Sequence, residues 1–295
     1  MKNSIMFLSL IMFFLSMNIY SAEEDGMLPV KYEELSAVQY VTALEKSGTI
    51  CVIPLGILEK HGPHLPLGTD LIDVRETVLR AAKKEYFIVF PQFYFGQIYE
   101  AKHQPGTIAY SPQLVWNILQ ETCDELGRNG VKKIVLVNGH GGNNNLLPYF
   151  CQSQLATPKS YAVILFQPAD DPELNNKIKA LRKTTTGGHA DETETSMMLS
   201  HRPDLVHTDK AALESGEDMN RLKGLPYFYS GIWWYAKYPN HYAGDGTQAN
   251  KEIGDLIING EAAQLTELIR HLKKDNRILE LQQEFYKASQ NPLKK

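Results

Sequence analysis

Cys51-Val52-Ile53-Pro54-Leu55-Gly56-Ile57-Leu58 runs directly into Glu59-Lys60-His61-Gly62-Pro63-His64-Leu65-Pro66-Leu67-Gly68-Thr69-Asp70. The first half is an unbroken apolar run and reads as a buried strand. The second half sets two acids and two histidines among turn residues. If the backbone stays extended just past the strand, Glu59 and His61 point to one side and Lys60 to the other, because strand side chains alternate with a period of two. A carboxylate and an imidazole on one side make half a metal site.

Outward from this stretch, helical and strand patterns alternate. Tyr32 to Lys46 reads as a helix, as does Leu71 to Lys84, and Tyr86 to Phe90 reads as a second strand. Phe93 to Tyr110 is an aromatic-rich loop containing Pro105-Gly106-Thr107. A helix opens at Ser111 and stops near Asn129-Gly130. Lys133 to Val137 is a strand with His140 just beyond it, a helix follows to about Gln154, and Tyr161 to Phe166 is the next strand. Such alternation predicts βαβ units, an α/β fold with a mainly parallel central sheet covered on both faces. Further on, Asp191 to Ser200 reads as a helix, Leu205 to Tyr242 as irregular and aromatic-rich, and Asn250 to about Lys287 as helical with a break near Asn259-Gly260. No repeat or linker interrupts the chain, so residues 23–295 are expected to form one domain.

The 295 residues are 43% apolar and 22% charged, enough for a real core, and the net charge of -4 gives no reason to expect nucleic acid or an anionic membrane as partner. Residues 1–22 differ in kind. Met1-Lys2-Asn3 supplies a basic start, Ile5 to Met17 is almost wholly apolar, and Ser21-Ala22 are small, which is the order of a secretory signal cut near Ser21 or Ala22, an uncleaved N-terminal anchor being the alternative. The remainder is then expected outside the cytoplasm, periplasmic or secreted, with no membrane attachment after cleavage. Three cysteines, Cys51, Cys123 and Cys151, with no Cys-x-x-Cys pair, predict buried free thiols, one disulfide remaining open.

In open α/β sheets ligands gather beyond the carboxyl ends of the strands. Glu59 and His61 follow one strand and His140, in Asn138-Gly139-His140-Gly141-Gly142-Asn143, follows another. Asp70 joins them if the Gly and Pro turns after His61 fold the chain back. Gly141 and Gly142 ahead of a helix also fit a phosphate cradle, but the adjacent histidine favours metal. In Gly187-Gly188-His189-Ala190-Asp191-Glu192-Thr193-Glu194-Thr195-Ser196, helical spacing puts Glu194 on the apolar face of Met197, Met198 and His201. A carboxylate there needs compensation, which a metal ion can give. Glu192 falls on another face.

These segments, taken in order, resemble the creatininase family of metal-dependent amidohydrolases. The resemblance rests on Glu59-x-His61-Gly62-Pro63-His64-Leu65-Pro66 with Thr69-Asp70, on Pro105-Gly106-Thr107, on Asn138 to Asn143, and on His189-x-x-x-x-Glu194-Thr195-Ser196. It spans about Cys51 to Pro203, with a weaker match at Gly244-Asp245-Gly246-Thr247-Gln248-Ala249. It implies a three-layer sandwich with two divalent ions, zinc, manganese or iron, held by Glu59, His61, Asp70, His140 and Glu194, Asp70 bridging. A water held between the ions would be the nucleophile. His189 would protonate the departing nitrogen, with Glu192 assisting, while His64 is expected to shape the turn. The Trp233-Trp234-Tyr235 cluster reads as core.

The resemblance also implies a small-molecule amide as substrate and a homo-oligomer, hexamers included. Creatinine-cleaving members carry glutamate where this chain has Gly142, and tryptophans before the catalytic histidine where this chain has none between Trp116 and Trp233; Asp191 replaces a common glycine. Other cyclic amides, formamides and small peptides therefore stand beside creatinine. A non-catalytic periplasmic metal- or solute-binding protein is the rival from another class.

Overall fold

The computed structural model describes residues 28–293, so the signal-peptide pattern of residues 1–22 and the acidic junction after it lie outside the described residues. The chain forms a sheet of four parallel strands, β1 (Ile50–Leu55), β2 (Ile88–Val89), β3 (Lys133–Asn138) and β4 (Ala162–Leu165), in the order β2-β1-β3-β4. β1 lies at the centre, paired with β3 along its whole length, Ile50 opposite Lys133 and Leu55 opposite Asn138. All six of its residues are buried, as expected for a strand covered on both faces. Pro54 is tolerated in this central strand because its missing N–H falls on the β2 side, where β2 has already ended and Phe93 bonds the Pro54 carbonyl instead.

Alternate residues of the strands feed two separate cores. On one face Cys51, Ile53, Leu55, Ile134 and Leu136 pack against α1 (Ala37–Lys46), α3 (Pro112–Arg128) and α4 (Leu146–Ser153) through Ala43, Leu119, Cys123, Leu147 and Phe150. On the other, Ile50, Val52, Val135 and Val137 meet α2 (Thr69–Ala82) and the long α8 (Lys251–Lys274) through Val74, Val78, Leu265 and Ile269. Helix, sheet and helix make the three layers the sequence predicts. The remaining helices are α5 (Pro172–Leu181), α6 (Glu192–His201), α7 (Trp233–Lys237) and α9 (Arg277–Ser289). All three cysteines are free. No helix among the described residues is long and apolar enough to cross a membrane.

The structure differs from the sequence expectation at three places. The terminal helical pattern is not broken at Asn259-Gly260: α8 continues through them, and the break comes at Asp275, whose backbone is extended. Gly260 is there for contact, since a Cβ on it would stand 2.4 Å from Leu174 of α5. α5 itself has no counterpart in the sequence reading. It carries an Asp171 cap and Pro172 at its start but buries no residue, so no apolar stripe marks it. The Trp233-Trp234-Tyr235 cluster is not core. Trp233 and Tyr235 are exposed on a cleft, and only Trp234 turns inward.

Candidate metal centre

Two glycines set the site at the carboxyl end of the sheet. Gly56 and Gly139 each follow a strand, β1 and β3, and both lie under the first turns of α2. A Cβ on Gly56 would stand 2.6 Å from the Leu71 nitrogen, and one on Gly139 2.7 Å from the Val74 Cβ and 2.9 Å from the Asp70 carbonyl oxygen. With no Cβ in either place, α2 rests on the two strand ends. Asp70, in its first turn, is thereby brought between Glu59 and His61 on one side and His140 on the other. Lys60 points away as strand alternation requires, its ammonium on Glu214 and on the Asn240 carbonyl at 2.9 Å.

His140 and His61 each have one nitrogen fixed by a backbone carbonyl, a group that can only accept. His140 Nε2 donates to the Gln97 carbonyl at 2.8 Å, and His61 Nδ1 to the Glu59 carbonyl at 3.2 Å. The opposite nitrogens face carboxylates. His140 Nδ1 is 2.9 Å from both Glu59 Oε1 and Asp70 Oδ2, while His61 Nε2 is 2.9 Å from Asp70 Oδ1. Glu59 Oε1 and Asp70 Oδ2 are buried without any hydrogen-bond partner. Asp70 is therefore divided between two donor sets, Oδ2 with Glu59 and His140, Oδ1 with His61 and Glu194. Nitrogen and oxygen donors without thiolate, converging on two adjacent points, fit two divalent ions sharing one carboxylate.

The electrostatics of the cluster call for positive charge. Burial works against the charged imidazoles, yet the carboxylates of Asp70 and Glu59 raise His61 to about 10 and His140 well above its ordinary value. Glu194, half-buried, is pushed up to about 8 by burial and by the charge of Asp70, with His61 opposing. Three carboxylates this close cannot all stay charged unless cations accompany them. His189 lies within the cluster, its ring 4.3 Å from that of His61, its Nε2 donating to the Lys60 carbonyl at 2.7 Å and its Nδ1 3.9 Å from Glu194 Oε2. Burial lowers its pKa to about 3.

Glu192 is not brought to the cluster. Its carboxylate accepts the backbone N–H groups of Lys183 and Thr184 and the Thr184 hydroxyl, and so anchors the loop before His189. The other residues of that motif have local work. Asp191 caps α6 by accepting from the Thr193 and Glu194 nitrogens, Thr195 Oγ1 meets His64 Nε2 at 2.8 Å, and Ser196 accepts from the Asn250 nitrogen at 2.8 Å. His64 is thereby tied to α6 and stands in none of the donor sets. In the motif after β3, buried Asn143 accepts from the Gln97 nitrogen at 3.0 Å and so places the carbonyl that orients His140. A cleft of about 780 Å³ borders the centre at Gln97 and Gly142 and is walled by Tyr99, Tyr229, Trp233 and Tyr235.

One residue at the centre has no place in the sequence reading. His241, buried, touches Glu59 Oε2 through Nε2 and receives the Trp234 indole N–H on Nδ1 at 2.8 Å. It arrives there because Ala243 and His189 exchange backbone hydrogen bonds at 3.0 and 3.2 Å. The sequence signal is slight, a histidine amid an aromatic segment with no periodicity.

Lys60→Ala removes a side chain outside the cluster, so the variant is expected to retain the metal content of the parent. Elemental analysis of the purified variant checks this, and loss of both ions would contradict the alternation of residues 59–61.

The family model for creatininase, creatinine amidohydrolase, matches residues 33–269. Among curated relatives, the creatinine amidohydrolase of Pseudomonas putida is 26% identical over 191 residues, covering 60% of this chain and 74% of that protein. The 3-dehydro-scyllo-inosose hydrolase of Thermotoga maritima is 28% identical over 271 residues, 82% of this chain and 83% of that protein. Among solved structures, a mutant creatininase of the Zn–Zn type superimposes with a TM-score of 0.69 at 22% identity, covering 83% of this chain and 99% of that one. The match extends well beyond the motifs, from the helix before β1 into α8, and so takes in every strand and every residue of the cluster: the chain belongs to the creatininase family.

Proposed function

We propose that this protein is a metal-dependent amidohydrolase that cleaves a carbon–nitrogen amide bond of a small molecule. The observation that carries the reading is the division of Asp70 between two donor sets, each completed by one histidine and one glutamate. Glu59, His140 and Asp70 would hold one ion, and His61, Glu194 and Asp70 the other. When bound, such a pair activates water and withdraws charge from the scissile carbonyl. His189, neutral because buried, has its proton on Nε2 against the Lys60 carbonyl and an open lone pair on Nδ1. It is the imidazole placed beside both donor sets and is assigned the protonation of the departing nitrogen, for which a weakly basic ring is a ready donor once charged. Glu192 supports His189 only through the loop it anchors.

The substrate is proposed as a class, a cyclic amide or a formamide, entering by the aromatic-walled cleft; a cleft of that size also admits a short peptide. Export to the periplasm or medium rests on the pattern of residues 1–22, and assembly into a homo-oligomer, up to a hexamer, on the family resemblance. Light scattering of the mature protein tests the assembly.

Metal-loaded protein should hydrolyse at least one member of a panel of creatinine, other cyclic amides, formamides and short peptides, and chelation should remove that activity. Two bound ions with no hydrolysis across the panel would favour the solute-binding rival. Activity untouched by complete metal removal would sink the scheme.

A further inference from the structure

We infer that His241 is a positioning residue for the metal centre, set by Trp234, and that the pair holds Glu59 in its ligating orientation. The inference rests on the two-ion reading and goes beyond it, since His241 belongs to no motif that carries the family resemblance. The Trp234 indole can only donate, and it donates to His241 Nδ1 at 2.8 Å. That nitrogen is therefore the acceptor of the neutral ring, and Nε2 carries the proton. Nε2 lies against Glu59 Oε2, so it donates there and cannot itself take an ion. Glu59 Oε2 is thus occupied and Oε1 is left free, facing Asp70 and His140 with no hydrogen-bond partner.

The backbone shows how firmly this is held. His241 has φ +56, in the left-handed region that few non-glycine residues occupy and that histidine tolerates better than most. The conformation persists because both sides are tied: the His241 nitrogen donates to the Tyr238 carbonyl at 3.0 Å, and His189 and Ala243 exchange hydrogen bonds. An outlier fixed by its surroundings and aimed at a ligand is the form a functional constraint takes. Groups that orient metal-binding side chains in this way typically account for 10- to 100-fold in metal affinity.

The test uses three variants. Asparagine tolerates left-handed backbone, and its amide reaches only as far as Nδ1 of histidine; glutamine reaches as far as Nε2 and keeps a donor for Glu59. His241→Asn should therefore bind zinc about 10- to 100-fold more weakly in competition with a chromophoric chelator, while still saturating at the ion content of the parent. His241→Gln should recover most of that loss. Trp234→Phe, which frees His241 to exchange its tautomer, should weaken binding by about 2- to 10-fold, the equivalent of one hydrogen bond. It should also abolish the metal-induced part of the tryptophan fluorescence change, which Trp233→Phe should leave in place. Melting of the metal-free forms establishes that each variant folds.

Parent-like zinc affinity in His241→Asn would overturn the inference, as would equal loss in the asparagine and glutamine variants. Saturation at one ion fewer would make His241 a ligand and overturn it too. Should His241→Asn fail to fold, Trp234→Phe decides, parent affinity there counting against the inference. Failure of the parent itself to bind zinc would instead strike the two-ion reading.

Discussion

Asp70→Ala is expected to yield a folded protein that holds at most one divalent ion per chain and has lost hydrolytic activity by on the order of a thousandfold or more, about 4 kcal/mol of transition-state stabilisation. The size follows from position. Asp70 is shared by the set of Glu59 and His140 and the set of His61 and Glu194, so its removal takes an oxygen from both. Metal-free Asp70→Ala loses its pairs with His61 and His140 and should melt somewhat below the metal-free parent but still in one cooperative transition, and that transition separates loss of the site from loss of the fold. Elemental analysis and steady-state kinetics are the measurements, and two ions retained at full occupancy would falsify the bridging role.

Gly254→Ala should produce the largest loss of stability from the smallest change. Gly254 lies in α8 where it crosses α6, and a Cβ there would stand 1.9 Å from the Ser196 carbonyl oxygen and 2.8 Å from the Met197 Cα. These are backbone atoms, which no rotamer change can move aside. Overpacking costs typically about 1–3 kcal/mol and occasionally more, and the contact here is severe. The gain in helix propensity from replacing glycine offsets about 1 kcal/mol. A net loss of about 2 kcal/mol is expected from the upper end of that range, read as an earlier midpoint in urea denaturation of the metal-free protein. Because Glu194 stands just before Thr195 and Ser196, the displaced α6 should also bind metal more weakly. A parent-like midpoint would show that the two helices can separate without cost.

Much of this was legible in the chain. Glu59 and His61 come from strand periodicity, and His140 from the rule that chemistry gathers beyond the strand ends; both need only local pattern. Asp70 is different. Its place depends on Gly56 and Gly139 lying under α2, a contact between segments far apart in sequence, and only the family resemblance made it a bridge in advance. Glu192 shows the opposite failure, since its motif position suggests chemistry while its hydrogen bonds go to Lys183 and Thr184. His241 was illegible for a physical reason. Its role is fixed by a left-handed backbone and by partners at Trp234 and Glu59, none of which leaves a periodic trace. α5 escaped notice because it buries nothing.

The sheet order has one more consequence, for the sequence of events in folding. β1 lies between β2 and β3, and parallel strands meet only after the intervening chain has closed a long loop, which is slow. The donors at the strand ends cannot converge before that pairing is complete, and Glu194 and His241 arrive from segments later still. Ions should therefore enter a chain already folded and act as a latch on the native state, not as a template for reaching it. Divalent metal should then slow unfolding and raise the melting temperature with its concentration, while leaving the refolding rate unchanged.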